Sequence, residues 1–185
     1  CYGNKIIKMP NLDKLASDGT LFKHAFATTA SCSASRSVIL TGLHNHLNGQ
    51  FGHQHNYHKF SSFHNIQSLP VLLHRQGYRT ARIGKFHVAP EPVYHFETKL
   101  KGNSRNAVQM ANQCKDFINS KNERPFFLYF ATSDPHRGGG TDKGSPHKPD
   151  LFGNRPNKGS HQGVNEVFYK PEEVEVPDFL PDTPT

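Results

Sequence analysis

Three short segments of this 185-residue sequence carry side chains that could act together on an anionic group. Residues 32–36 read Cys-Ser-Ala-Ser-Arg, residues 85–87 read Lys-Phe-His, and residues 134–137 read Asp-Pro-His-Arg. A nucleophile, cations and imidazoles are the components of nucleophilic group transfer, because cations hold an anion while imidazoles move protons. The pattern therefore predicts catalysis on a negatively charged substrate.

Each of these segments follows a predicted β-strand. Strands are expected at residues 21–27, 79–84 and 126–131, and the last is a continuous apolar run of the kind buried on both faces in parallel sheets. Open α/β sheets bind ligands beyond the carboxyl ends of their strands. We therefore expect the three strand ends to lie on one rim of a single sheet.

A helical pattern precedes each strand, and this alternation predicts an α/β sandwich. In the first helix Leu12, Leu15 and Ala16 are expected to face inward, as are Leu72 and Leu73 in the second. The third carries Cys114 on its apolar face, where a buried cysteine is expected. The predicted N-caps are Asn11, Ser68 and Ser104, and the predicted stops of the first two helices are Gly19 and Gly77.

A further helix is predicted over residues 33–40, closed by Gly42. Cys32 would lie at its amino terminus, where free N–H groups and the helix dipole favour anions. A tyrosine-phosphatase loop is excluded, because it needs Arg six residues after the Cys, where Val38 stands; Arg36 is only four residues away. Taken alone, the feature also fits a half-buried cysteine beside a capping serine.

The composition excludes several classes of protein. A net charge of +7, with 13 histidines uncounted, favours anionic partners, although an ordinary basic surface would give the same value. The sequence lacks the dense Arg/Lys run that is typical of nucleic-acid-binding proteins. It also lacks an apolar run that approaches the roughly 20 residues needed to span a bilayer. The three cysteines cannot make a closed disulfide framework. Residues 137–163, rich in Gly, Lys and Pro, are predicted to form a long surface loop.

The segment around Cys32 resembles the signature of the type I sulfatases. Residues 32–36 and 40–42 are similar to the family's C-x-[PA]-x-R stretch, in which the Cys is oxidised after synthesis to formylglycine; Ala34 stands where Pro is commoner. Supporting stretches occur in the family's order. They are Tyr2-Gly3-Asn4, Pro10-Asn11-Leu12-Asp13, Gly84-Lys85-Phe86-His87 and Asp134-Pro135-His136.

Further stretches resemble the N-sulfoglucosamine sulfohydrolases within that family. The resemblance runs from near the start to residues 177–184, so residues 1–185 are expected to be part of an N-terminal catalytic domain. It implies an alkaline-phosphatase-like α/β sandwich with a large, mixed, mostly parallel sheet flanked by helices, of which this sequence would hold only a part. The matching stretches include His46, Ser68-Leu69-Pro70, residues 87–94, residues 124–129 and residues 134–137.

The resemblance also implies a role for each reactive residue. Formylglycine at Cys32 would hydrate to a diol whose oxygen attacks sulfur, and loss of sulfate would regenerate the aldehyde. Arg36 and Lys85 would hold the anionic oxygens. His87 would deprotonate the diol, and His136 would contact sulfate or protonate the leaving group.

The implied reaction is removal of the N-sulfate of glucosamine in heparan-type chains, with His46 and Arg137 contacting the sugar. A divalent cation, usually Ca²⁺, would be held by carboxylates and the formylglycine oxygen. Of that ligand set only Cys32 lies in this sequence, so these residues alone are expected to be inactive. A maturation enzyme that makes formylglycine is the implied protein partner. Export to the bacterial periplasm, the extracellular space or the lysosome is expected, and the oligomeric state is not predicted.

Two other classes of function stay open. One is an O-sulfatase, arylsulfatase or phosphonate monoester hydrolase of the same superfamily, which would use the same signature. The other is a non-catalytic, basic, histidine-rich module that binds sulfated polysaccharide. Formylglycine at Cys32 would discriminate the two, because a binding module has no need for it.

Six histidines within 21 residues form a second candidate site. They match no common zinc-finger spacing and include no cysteine, so the wall of a pocket or an exposed surface is favoured over a zinc site. Binding of a polyanion in a pH-sensitive way is the third interpretation. The six are His44, His46, His53, His55, His58 and His64.

Overall fold

The computed structural model of this chain describes residues 2–136, 163, 167 and 169–183. They belong to two compact units. The first combines the residues up to Phe26 with those from Glu166 onward, and the second runs from Ala27 to Asn165. All the described residues with a predicted catalytic role lie in the second unit. The loop predicted at residues 137–163 lies almost entirely outside the described residues, which include only Gly163 of that segment.

The first unit contains helix α1 (Pro10–Asp18) and a single 3₁₀ turn at Pro171–Glu173. Proline at the first helical position is preorganised for the helical turn. The helix ends before Gly19 as predicted, but its N-cap is Met9 rather than Asn11. The unit is also tied by a hydrogen bond from the Lys8 main-chain N–H to the Tyr169 hydroxyl, 2.8 Å long.

Two expectations for the amino-terminal residues are wrong. Helix α1 buries none of its residues, and Leu12 and Leu15 are exposed rather than inward. Residues 21–27 form no strand. Phe22 and Phe26 are 68% and 89% exposed. A strand needs a hydrogen-bonded neighbour and a covered face, and the described residues provide neither here.

The second unit is built on a parallel sheet of three described strands, β1 (Arg79–Gly84), β2 (Thr98–Lys99) and β3 (Phe126–Ala131), in the order β2-β1-β3. Strands β1 and β3 have the predicted bounds. Their register places Arg79 opposite Phe126 and Gly84 opposite Ala131. Both strands therefore end at the same edge of the sheet.

Helices cover both faces of this sheet. On strand β3, Phe127 and Tyr129 contact one apolar cluster, and Leu128 between them contacts another. Because side chains alternate along a strand, the clusters lie on opposite faces. The first contains Leu40 of α2 and the second Met110 of α5. The helices of this unit are α2 (Cys32–Thr41), α3 (Asn45–Asn48), α4 (Leu69–Arg75) and α5 (Ala107–Ile118).

Several local predictions are corrected by this arrangement. The N-cap of α5 is Asn106, whose side-chain oxygen accepts from the Gln109 N–H, rather than Ser104. The described residues leave Phe126 and Phe130 of strand β3 exposed, so the strand is not buried on both faces. Leu72 of α4 is also exposed.

Other local predictions are confirmed. Cys114 is buried in the cluster under α5. Helix α2 ends at Gly42 as predicted, and Gly42 adopts the left-handed conformation that favours glycine. Among the described helices, none combines the length and the hydropathy needed to cross a membrane.

Candidate active site

Cys32 is the first residue of α2, with Ser31 as the N-cap. It is half-buried and has no disulfide partner among the described residues. The first N–H groups of a helix have no acceptor within the helix, so this end presents donors and a positive dipole to an anion. A cavity of about 580 Å³ opens here, lined by Cys32, Arg36 and Tyr129 among others.

The buried side-chain amides of Asn45 and Asn48 hold helix α2 in place through hydrogen bonds. The Asn45 side chain donates to the main-chain oxygens of Ala34 (3.0 Å) and Gln50 (2.8 Å). The Asn48 side chain donates to Ser37 Oγ at 3.1 Å and is fully buried. Satisfied buried networks of this kind rigidify a structure, so they position the amino end of α2 accurately.

Arg36 lies one turn after Cys32 on the same face of α2. Its Nη1 donates to the main-chain oxygen of Lys85 at 3.0 Å and to the hydroxyl of Tyr129 at 2.7 Å. These two bonds hold the guanidinium between the ends of β1 and β3. Both use the same nitrogen, and a guanidinium has five N–H donors in all.

Lys85 directly follows β1 and reaches Cys32. Its Nζ donates to Cys32 Sγ at 3.4 Å, and its main-chain N–H donates to the Ala131 oxygen at 2.8 Å. The preceding Gly84 has φ +82°, and a Cβ there would lie 2.0 Å from the Ala131 oxygen. Only glycine therefore lets β1 end so close to β3 and turn Lys85 toward the cavity.

His87 combines an unusual backbone with an unusual electrostatic environment. Its φ of +62° lies in the left-handed region, where residues other than glycine are uncommon and often functional. Burial is the largest of the effects that lower the pKa of its imidazole to about 4, and the charges of His55, Lys85, His53 and Arg36 contribute the rest. His87 is therefore neutral at physiological pH and able to accept a proton.

A second cavity of about 410 Å³ is lined by Lys85, His87 and His136 among others. Arg105 positions the loop that carries His136: its Nη1 makes an ion pair with Asp134 and donates to the His136 main-chain oxygen at 3.0 Å. The ammonium group of Lys85 and the imidazole of His87, which both follow β1, thus line the same cavity as the imidazole of His136, which follows β3.

The structure brings together most of the predicted site. Cys32, Arg36 and Lys85 are joined by direct contacts or shared partners, and Lys85 shares the second cavity with His87 and His136. The prediction that three strand ends lie on one rim is right for Gly84 and Ala131. It is wrong for Ala27, because residues 21–27 form no strand and Cys32 is instead positioned by helix α2.

Two predicted substrate contacts are not placed there. His46 is exposed on α3, stacked on His44 at 5.8 Å between ring centroids, and it lines neither cavity. Arg137 lies outside the described residues. Both remain predictions.

Sequence reasoning missed Tyr129 and Arg105. Tyr129 lies in an apolar run. A partly buried hydroxyl there needs a hydrogen-bond partner, and this need was the signal available in the sequence. Arg105 gave no such signal, because its partner Asp134 is 29 positions away. The sequence likewise gave no signal that the rings of His53 and His55 contact that of His87.

The family model described as Sulfatase matches residues 1–166 of the chain. The chain belongs to the sulfatase family. Human N-sulphoglucosamine sulphohydrolase is 40% identical over 191 residues, which cover 99% of this sulfatase chain and 38% of the human protein. An N-acetylglucosamine-6-O-sulfatase of Bacteroides thetaiotaomicron is 40% identical over 92 residues, covering 50% of the chain and 16% of that protein. The chain thus spans well under half the length of these relatives.

A solved structure in complex with its substrate, D-glucosamine-2-N,6-O-disulfate, superposes on this sulfatase with a TM-score of 0.61. The two are 27% identical, and the match covers 74% of this chain and 31% of the other. Together with the helices on both faces of the parallel sheet, this likeness confirms the expected alkaline-phosphatase-like α/β fold.

Proposed function

We propose that the full-length sulfatase hydrolyses a sulfate group of sulfated sugars, with the N-sulfate of glucosamine in heparan-type chains as its substrate. The observation that carries the proposal is the contact of Lys85 Nζ with Cys32 Sγ at a helix amino terminus, beside an anchored Arg36. The human relative acts on an N-sulphoglucosamine by its name, which supports this choice of sugar.

Cys32 is proposed to be converted to formylglycine by a maturation enzyme. When present, that group supplies a hydrated aldehyde as the nucleophile that attacks sulfur. The surroundings of Cys32 fit this use, because the side chain lines a cavity at the positive end of α2. Mass spectrometry of the Cys32 peptide from the full-length protein tests the conversion, and an unmodified thiol throughout an active preparation would contradict it.

The sulfate oxygens are proposed to bind Arg36, Lys85 and the first N–H groups of α2. Arg36 is held rigidly by Tyr129 and the Lys85 carbonyl, so its orientation needs little reorganisation when charge develops. Donors fixed in this way stabilise a transition state by about 3 kcal/mol each.

Two imidazoles are proposed to move the protons. His87 is neutral because burial lowers its pKa, so it can accept a proton from the nucleophile. His136 lines the same cavity and would donate a proton to the leaving amine. A sulfamate leaves as an amine, which must be protonated at or before departure, and an imidazole suits this task.

The family implies a bound Ca²⁺, which prefers carboxylate and carbonyl oxygens. No residue described as lining the cavity at Cys32 carries a carboxylate, and Arg36 and Lys85 are both cations. The described residues therefore do not form a calcium site by themselves. We propose that the remaining ligands come from parts of the full-length protein beyond this chain, and no step above depends on the ion.

A 6-O-sulfatase is the second candidate, favoured by the relative that acts on N-acetylglucosamine 6-O-sulfate by its name. The same donors would bind either sulfate. Competition between glucosamine N-sulfate, glucosamine 6-O-sulfate and an aryl sulfate decides the question. The proposal expects the largest kcat/KM for the N-sulfate, and a larger value for either rival would overturn the substrate but not the sulfatase activity.

Export to the periplasm, the extracellular space or the lysosome is part of the proposal, since sulfated polysaccharides of this type occur outside the cytoplasm. Fractionation of cells that produce the full-length protein tests it. Recovery of the mature protein in the cytoplasm would contradict it.

A further inference from the structure

Three imidazoles from separate parts of the chain meet beside Lys85. One ring nitrogen from each of His53, His55 and His87 lies within 4.8 Å of the other two. The rings of His55 and His87 are within 8° of parallel, and Nδ1 of His55 faces Nε2 of His87 in direct hydrogen-bonding contact. His53 stacks on both, with ring centroids 4.9 Å and 5.6 Å away.

The polar atoms of this cluster are incompletely satisfied. Nδ1 of His53 and Nδ1 of His87 are buried and have no hydrogen-bond partner among the residues that the structure describes. Buried polar atoms are normally paired, so the unpaired Nδ1 of His53 beside two other imidazoles indicates a missing ligand.

The loop that supplies His53 and His55 is held in place by its own backbone. The N–H of Gln54, between the two histidines, donates to Ser33 Oγ at 3.1 Å. The His53 carbonyl accepts from the Phe60 N–H at 3.1 Å, and the Gln50 side chain donates to the Phe60 carbonyl at 2.8 Å. Binding a ligand here would therefore cost little ordering of the backbone.

The donor set selects the chemistry of that ligand. Imidazole nitrogens suit Zn²⁺ and neighbouring transition metals, whereas Ca²⁺ and Mg²⁺ require oxygen ligands. Three histidines with an open fourth position form a known type of zinc site. We propose that His53, His55 and His87 form a Zn²⁺ site whose fourth position opens toward the 410 Å³ cavity that His87 lines.

Small side-chain rotations would complete the site. Zn–N distances of about 2.0–2.1 Å in a tetrahedron place the nitrogens roughly 3.4 Å apart. The ring nitrogens of His55 and His87 would move slightly apart, and that of His53 would move closer to both. His55 is exposed, so its side chain has room to rotate. Whichever ring donates in the hydrogen bond between His55 and His87 would move that proton to its other nitrogen, so both rings stay neutral.

Zinc at this site would inhibit the hydrolase, a consequence that rests on the proposed function. Zn²⁺ bound to Nε2 of His87 occupies the lone pair that would accept the proton from the nucleophile. The ring that binds the metal cannot then act as a base. The site would thereby make the activity sensitive to free zinc.

Zinc binding is tested first, by competition with a chromophoric chelator using untagged full-length protein. His53→Gln and His55→Gln should each weaken Zn²⁺ binding at least about tenfold, and His64→Gln, an exposed histidine outside the cluster, should not. Cobalt should give the visible absorption of a tetrahedral ion without a thiolate band. Equal affinity in wild type and His53→Gln, or equal weakening by His64→Gln, would overturn the site.

Inhibition is tested separately, with the sulfated sugar that the wild-type enzyme hydrolyses. Zinc should inhibit the wild type with a midpoint equal to its dissociation constant, and this midpoint should shift upward in His53→Gln. Zinc bound to the three histidines without inhibition would overturn the regulatory consequence and the role of His87 as base, while the site itself would stand. If the wild type does not bind zinc, the proposed site is wrong and the proposed function is unaffected.

Discussion

At the scale of single residues, His87 shows how position sets chemistry. Its imidazole is partly buried beside two other histidines and two cations, all of which favour the neutral form. The same side chain would titrate near pH 6.5 in an unfolded chain. The fold therefore keeps the imidazole of His87 in its proton-accepting form over the whole physiological range.

The lowered pKa of His87 predicts how stability depends on pH. Above about pH 6.5 the imidazole is neutral in both states, whereas between about 6.5 and 4 only the unfolded chain binds the proton. His87 should therefore reduce the stability of the full-length protein as pH falls through this window. Denaturant unfolding at about pH 7 and about pH 4.5 should show a smaller loss for His87→Gln than for wild type. An equal or larger loss in the variant would contradict this.

Tyr129 is predicted to act by positioning Arg36. Tyr129→Phe removes the hydroxyl that accepts from Nη1 at 2.7 Å but leaves the bond to the Lys85 carbonyl. Bonds to charged groups contribute about 1.5–3 kcal/mol, so kcat/KM for the sulfated sugar should fall roughly tenfold or more. The exposed Tyr57→Phe is the control. An unchanged kcat/KM in Tyr129→Phe would show that Arg36 needs no such support.

At the scale of elements, the site is assembled by the amino end of α2 and the carboxyl ends of β1 and β3. The equal register of the two strands, from Arg79 opposite Phe126 to Gly84 opposite Ala131, sets Lys85 beside the loop after Ala131. The buried amides under α2 then fix Cys32 against Lys85. The geometry of the candidate site therefore depends on how helix α2 meets the sheet.

Gly84 provides a test of that junction. Gly84→Ala puts a Cβ 2.0 Å from the Ala131 oxygen at φ +82°, so β1 and β3 must separate. Gly77→Ala is a matched control, since its φ is +86° but no atom lies within 4 Å of the added Cβ. The control should lose about 1 kcal/mol of unfolding free energy from backbone strain alone, and Gly84→Ala should lose more than about 2 kcal/mol. Equal losses in denaturant unfolding would refute the steric argument.

How far the sequence predicted the structure depends on whether a signal was local. The apolar run of β3, the Gly42 stop of α2 and the bounds of β1 are local patterns, and all are confirmed. Residues 21–27 have a strand-like pattern, but no strand among the described residues pairs with them, and a local pattern does not reveal this. Likewise, Ser104 looks like a cap, but its hydroxyl bonds to Ser133 Oγ, 29 positions away.

The predicted site shows the same division. Motif order was enough to join Cys32, Arg36 and Lys85. The anchoring of Arg36 by Tyr129 and the meeting of His53 and His55 with His87 depend on contacts made only in the folded chain. Sequence reasoning therefore named residues that the fold brings together and missed the contacts that position them.

At the scale of the whole molecule, the net charge of +7 favours an anionic partner, as the proposed sulfated substrate would be. The charges that would bind sulfate lie at a single junction of helix and sheet. The proposed function requires that Cys32, once modified, is the nucleophile of a multiple-turnover sulfatase.

The Cys32→Ser variant of the full-length protein tests this role of Cys32. A serine hydroxyl can attack sulfur but cannot form the diol, so the first sulfate transfer should leave a stable ester and stop the reaction. We predict at most one equivalent of desulfated sugar per enzyme and sulfate retained on the peptide that contains position 32. Continued turnover by Cys32→Ser at a rate near that of the wild type would show that the reaction does not use formylglycine at this position.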